Sequence, residues 1–137
     1  MKVKLKNIEK YFSPIEIETI DSFIKFLQTQ VPLVHDVHMG FDADRNNTPM
    51  TTGVRLPKHN IRILAKDRLL IDVLRTVAHE WVHEYQHQKM GLKDTTKIQN
   101  IGGPEENMSN VLSGIYIKKF AKMFPSHKDV MFGEQDE

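Results

Sequence analysis

The chain contains no cysteine. That excludes a disulfide framework and any thiolate metal site, so a transition metal could be held only by His, Asp or Glu. Charge of one sign is also lacking: 19 Lys and Arg stand against 18 Asp and Glu, a net charge of +1. Nucleic-acid binding therefore has no electrostatic signature, since a basic stripe would be expected. No apolar run reaches the length of a membrane span, and "MKVKLKNIEKYF" at the start is basic without the apolar stretch of a secretory signal. The expectation is a cytoplasmic protein with neither membrane nor nucleic-acid partners, a virion-associated location being the alternative. Repeats, low-complexity tracts and internal linkers are absent too. At 137 residues with 39% hydrophobic content, one domain spanning 1–137 with a modest core is expected.

The patterning that is present predicts an α+β fold. "SPIEIETIDSFIKFLQTQV" offers Ser13 as N-cap, Pro14 at the first helical position and Glu16 to complete a capping box, so a helix is expected over about 14 to 30. "PLVHDVHMGF" alternates with Leu33, His35, Val37, Met39 and Phe41 on one side and reads as a strand. "DADRNNTPM" reads as loop. Two short strands, about 52 to 57 and 60 to 66, follow in "TTGVRLPKHNIRILAKD" and complete a three-stranded sheet. A long periodic helix from about Arg68 to Met90 ends at Gly91, and Pro104 opens another in "GGPEENMSNVLSGIYIKKFAKMF". Residues 1–12 are expected to be a basic N-terminal segment and 132–137 a flexible acidic tail.

Within the long helix, "TVAHEWVHEYQHQ" crowds together three of the chain's seven histidines. Leu70, Leu74, Val77, Ala78, Trp81 and Tyr85 form the apolar stripe; His79 and His83 lie roughly opposite it. Histidines four apart have neighbouring Cβ atoms and can converge on one ion at about 2.0–2.1 Å. Glu80, turned aside from them, can hold its carboxylate beside a metal-bound water without becoming a ligand. The motif is H-E-x-x-H. Composition alone would generate it by chance at roughly a few per cent; its place on the polar face of a periodic helix argues against chance. His87 is about 12 Å of helical rise beyond His79 and reads as a surface histidine with a supporting role at most. A solvated polar face accounts for Asp72 and Thr76.

A catalytic zinc needs a third protein ligand and an open fourth position. The extended H-E-x-x-H-x-x-G-x-x-H pattern fails, because position 86 is Gln and position 89 is Lys. "PEENMSN" instead offers Glu105 and Glu106 after a short connection, with Glu106 the better candidate. Glu106, Asn110, Ser113 and Gly114 recur at helical spacing, so small residues would let this helix approach and Asn110 could orient a histidine. Acids after a helix-starting proline are also favoured by the helix dipole alone.

His79, Glu80 and His83 followed by Glu106, Ser109 and Asn110 resemble the gluzincin class of zinc metallopeptidases, and in particular the minigluzincins and the ImmA/IrrE-like peptidases. There a Glu-x-x-Ala-Asn or Glu-x-x-Ala-Asp pattern supplies the third ligand and a polar group that bonds a ligand histidine. Here it reads Glu106, Asn107, Met108, Ser109, Asn110. Leu112 and Ser113 stand where the ImmA/IrrE-like pattern often has Phe-Ala. The resemblance covers roughly Asp72 to Gly114 and implies a minimal zincin-like domain with one Zn2+ held by His79, His83 and Glu106.

The implied chemistry is peptide hydrolysis, with a zinc-activated water of pKa about 7 and Glu80 as general base. An oxyanion donor has no spacing argument: Tyr85, Tyr116, His127 and His59 all compete, Tyr85 reading more as core. His35 on its apolar strand face reads as a satisfied core group, and His38 as structural or surface. The strand at 60–66 could be an edge that pairs with an extended substrate. So small a domain has little material for a deep pocket, which suggests a flexible protein segment as substrate, or one presented by a separate protein. The alternative is a catalytically silent zincin-like binding or regulatory module, against which an intact Glu80 argues. A DNA-binding arm of Lys2, Lys4, Lys6 and Lys10 is a third reading, and a solvated strand or tail explains it as well.

Overall fold

Helix α1 (Pro14–Gln30) starts where its sequence says it should. The Ser13 side chain accepts from the Glu16 backbone and Glu16 accepts from the Ser13 N–H at 2.9 Å, closing a capping box with Pro14 inside the first turn. The computed structural model describes residues 1–44, 52–91 and 103–133. Besides α1 these form β1 (Val3–Lys6), β2 (Val37–Asp42), β3 (Gly53–Leu56), β4 (Asn60–Leu64), α2 (Leu70–Lys89), α3 (Pro104–Met123) and α4 (Pro125–Met131). The described part of the acidic tail, Phe132 and Gly133, forms a turn; 134–137, the polar connection after Gly91 and most of the expected loop before Thr52 lie outside the described residues. Among the described residues no helix is long and apolar enough to cross a membrane.

The fold is α+β, but the sheet has four strands where three were expected, in the order β1-β2-β4-β3. The extra strand comes from the basic N-terminal segment. Half-buried Val3 and Leu5 alternate with exposed Lys4 and Lys6, the period of a strand with one covered face, and β1 pairs parallel with β2 from Val3↔Val37 to Lys6↔Gly40. Lysines on a short outer strand also discourage edge-to-edge association. The basic arm is thus part of the sheet.

Strand β4 is central: it pairs parallel with β2 and antiparallel with β3. This corrects the expectation that 60–66 forms an edge; the edges are β1 and β3. The β3–β4 turn places Lys58 and His59 in the left-handed region, at φ 64° and 61°, a conformation costing about 1–2 kcal/mol for each non-glycine residue.

One face of the sheet is covered. Val37, Met39, Phe41, Ile61 and Ile63 point to a core filled by Ile20, Phe23 and Leu27 of α1, Leu74, Val77 and Trp81 of α2, and Phe120 of α3. Trp81 is fully buried and its indole N–H donates to the Val31 carbonyl at 2.8 Å, tying α2 to the end of α1. The expected strand starts later than the alternation suggested, at Val37. His35 therefore lies outside it, exposed and stacked on His59 at 4.8 Å, and is not a core group. His38 is exposed, as a surface role requires. A last helix, α4, was not anticipated; it buries Val130 and Met131.

Candidate metal centre

The face of α2 opposite its apolar stripe is polar but not solvated. Glu80, His83, Glu84 and Gln86 are all buried, and so is Thr76. Two neighbours cover them. α3 presents Glu106, Ser109 and Ser113 to α2, small side chains beside one long one, and continues the same stripe into the core with Ile117 and Phe120. On the other flank β3 passes so closely at Gly53 that a Cβ there would lie 2.4 Å from Thr76 Cγ2 and 3.2 Å from Glu80 Cγ. Leu70, Leu74, Val77, Ala78 and Trp81 are buried as the periodicity predicts, and Tyr85 is half-buried against the core.

This packing brings His79, His83 and Glu106 together. His79 Nε2 lies 2.7 Å from Glu106 Oε1 and 3.1 Å from His83 Nε2, and His83 Nε2 lies 3.2 Å from Glu106 Oε2. Ligands of a tetrahedral ion at 2.0–2.1 Å stand about 3.3 Å apart, so the donor set has the dimensions of a three-ligand site. Glu105 is not part of this group; its backbone carbonyl accepts from the Gln86 side-chain amide at 2.9 Å.

That bond fixes a tautomer. A carbonyl can only accept, so the Gln86 NH2 faces Glu105 and its Oε1 faces His83 Nδ1, at 2.9 Å. Nδ1 must then carry the hydrogen, leaving the Nε2 lone pair directed at Glu106 and His79. In the neutral imidazole, two acceptors face each other across 3.2 Å, an arrangement a cation between them satisfies. Ser109 Oγ is also 3.2 Å from His83 Nδ1. Burial, partly offset by Glu106, lowers the His79 pKa, which favours the neutral, ligating form. The residues present can hold a metal ion.

Glu80 stays out of the donor set but lines the same cleft. Burial first, then the nearby Glu106 charge, pushes its carboxyl up to about 8, while the Arg55 backbone N–H donates to it and pulls the other way. β3 thus supplies the hydrogen bond that aims Glu80.

Next to the site, α2 is bolted to the β3–β4 hairpin by a buried charge cluster. Arg55 Nε is 2.6 Å from one Glu84 oxygen and His59 Nδ1 is 2.6 Å from the other. Gln88 donates to Glu84 as well and accepts the backbone N–H groups of Val34 and His35 at 2.8 and 3.0 Å. A carboxylate this buried requires such partners.

The cleft has a volume of about 620 Å³ and is walled by Thr52, Gly53, Thr76, Asn110, Ser113 and Gly114 around the site, with Arg68, Asp72 and Arg75 at one end. Asn110 is exposed on the cleft wall, and the partners of His83 Nδ1 are Gln86 and Ser109 in its stead. None of the four oxyanion candidates lines the cleft. His59 is held by Glu84, Tyr116 packs near Phe26, Tyr85 sits on the core, and His127 Nδ1 meets Thr19 Oγ1 at 2.9 Å with its ring stacked on Phe120. His87 is half-buried.

Residues the sequence reading passed over are Gly53, Arg55, Arg68, Glu84 and Gln86. A glycine inside "TTGVRL" is a signal of close backbone approach, and Arg55 shares its strand face two residues on. Glu84 and Gln86 carry no signal, because local sequence does not say which polar helix positions a later helix will cover. No family model matches the chain, and neither a curated protein nor a solved structure is found to be similar to it.

Proposed function

We propose that the chain is a zinc-dependent metallopeptidase of gluzincin type built on a zincin-like domain. The observation that carries the reading is the convergence of His79, His83 and Glu106 beside a buried carboxyl, Glu80, that is excluded from the donor set and open to the same cleft. All-nitrogen and oxygen ligation by two imidazoles and one carboxylate suits zinc. A zinc ion held by these three would act as a Lewis acid, bringing the pKa of a water in its open position to about 7.

The chain's own groups supply the rest. Glu80, aimed by the Arg55 N–H, takes the proton of the attacking water and returns it to the leaving amine. The value of about 8 belongs to the metal-free site; a divalent cation held beside Glu80 would draw its carboxyl back toward the ionised form that a base requires. Gln86 and Ser109 hold His83 in its ligating orientation. Thr52, Thr76, Arg68 and Asn110 are the cleft-lining donors from which the oxyanion partner is to be sought. The edge strand β3, rather than β4, is the element an extended peptide could join. The partner is accordingly a peptide or protein segment, met in the cytoplasm.

The test is cleavage of a mixed peptide library by the zinc-loaded protein beside its Glu80→Gln variant. New termini that appear with the wild type and not with the variant support the reading. Zinc binding with no cleavage by either favours a silent binding module.

A further inference from the structure

Arg68 is a half-buried guanidinium whose hydrogen bonds, among the described residues, go only to neutral oxygens. Nη1 donates to the Leu64 carbonyl at 2.8 Å, and Nη2 to the Asp72 carbonyl at 3.1 Å and Thr76 Oγ1 at 2.9 Å. Five N–H groups make up the fork, so the Nε–H and one Nη1–H remain beyond these three bonds. The Asp72 carboxylate acts on it only through space and lies 3.9 Å from Arg75, on the exposed surface. Buried charges are ordinarily neutralised by a contacting partner of opposite sign. Among the described residues Arg68 and Arg75 share the end of the cleft with a single carboxylate, and Thr76 and Thr52 add hydroxyls.

We propose that Arg68 and Arg75 form a carboxylate-binding subsite, so that the cleft selects peptides carrying an acidic group near the bond placed at His79, His83 and Glu106. Arg75 precedes His79 by one helical turn, about 6 Å of rise. An extended peptide advances about 3.3 Å per residue, so a carboxylate held by Arg75 and by Arg68, whose Nη2 reaches Thr76 Oγ1, sits about two residues from the reacting carbonyl. Guanidinium groups suit this task because they meet carboxylates with two parallel N–H donors. The proposal takes from the peptidase reading only that the cleft receives a peptide. The carboxylate can belong to an Asp or Glu side chain or to the end of a chain.

The experiment measures binding to the zinc-loaded Glu80→Gln protein by fluorescence anisotropy. The probes are labelled peptides in Asp and Asn versions, each with an amidated and a free C-terminus. At least one acidic form should bind roughly 10-fold tighter than its neutral counterpart, the size of one charge-assisted hydrogen bond. Preference for Asp over Asn identifies a side chain as the source; preference for the free over the amidated terminus identifies the chain end. Arg75→Gln should remove most of the advantage and Arg75→Lys restore part of it, with Arg68→Gln acting likewise where its circular dichroism matches the parent. Equal binding of acidic and neutral peptides, no binding of any, or a preference untouched by Arg75→Gln overturns the proposal. Acid preference in a protein whose wild type cleaves nothing would leave the subsite standing and remove the peptidase reading; cleavage without acid preference would do the reverse.

Discussion

Gln86 Oε1 lies 2.9 Å from His83 Nδ1 while the Gln86 amide nitrogen is bonded to the Glu105 carbonyl. One side chain thus orients His83 of the candidate donor set and attaches α2 to the first turn of the helix that brings Glu106. Gln86→Ala is expected to weaken zinc binding about 10- to 100-fold, the usual cost of losing an orienting partner. Competition against a chromogenic chelator measures it. Ser109→Ala, which leaves Gln86 in place, should have the smaller effect.

Gly53→Ala should destabilise the protein by about 1–3 kcal/mol, because the added methyl would meet Thr76 Cγ2 at 2.4 Å and the Arg62 carbonyl at 3.2 Å. Moving β3 outward to accommodate it also withdraws the Arg55 N–H from Glu80. Urea denaturation reads the first effect. In a protein that cleaves peptides, a lowered kcat reads the second.

Glu84→Gln removes the carboxylate charge 2.6 Å from buried Arg55 and is expected to cost about 3–5 kcal/mol. Glu84 is no ligand, so folded protein of this variant should still bind zinc at the wild-type ratio. Loss of zinc from folded Glu84→Gln would place Glu84 in the donor set.

The Glu80 carboxyl titrates at about 8 in the folded metal-free chain against an ordinary value of 4.5. The folded state therefore holds a proton that the unfolded state has released, and unfolding is favoured as pH rises. Glu80's contribution is fully present below about 4.5 and is lost as pH climbs through about 8. In chelator-treated protein, Glu80→Gln should flatten the fall in melting temperature across this window. Parallel curves for the two proteins would contradict the assignment.

The elements that local chemistry dictates were legible: the capping box at Ser13, the apolar stripe of α2, and Pro104 at the head of α3. So was the approach of His79 to His83, because two histidines at i and i+4 converge by helical geometry alone. Strand β1 was missed because its period-2 alternation spans only four residues and reads as a basic tail. The edge was misplaced because strand order depends on a crossover that no local pattern encodes. Glu106 was preferred to Glu105 from the sequence, and its place beside the histidines depends on the approach of α3; the Arg55–Glu84 pair needed both the hairpin and α2 in place. Asn110 was favoured on a spacing argument, but its turn of α3 faces the cleft, and Ser109 one position earlier meets His83.

Metal content of protein purified without added metal, beside the Glu106→Ala and Glu105→Ala variants, tests the convergence of His79, His83 and Glu106 most directly. About one zinc per chain is expected in the wild type and in Glu105→Ala, with most of it lost from folded Glu106→Ala. No zinc in the wild type, even after incubation with it, or full retention in Glu106→Ala, would contradict the site.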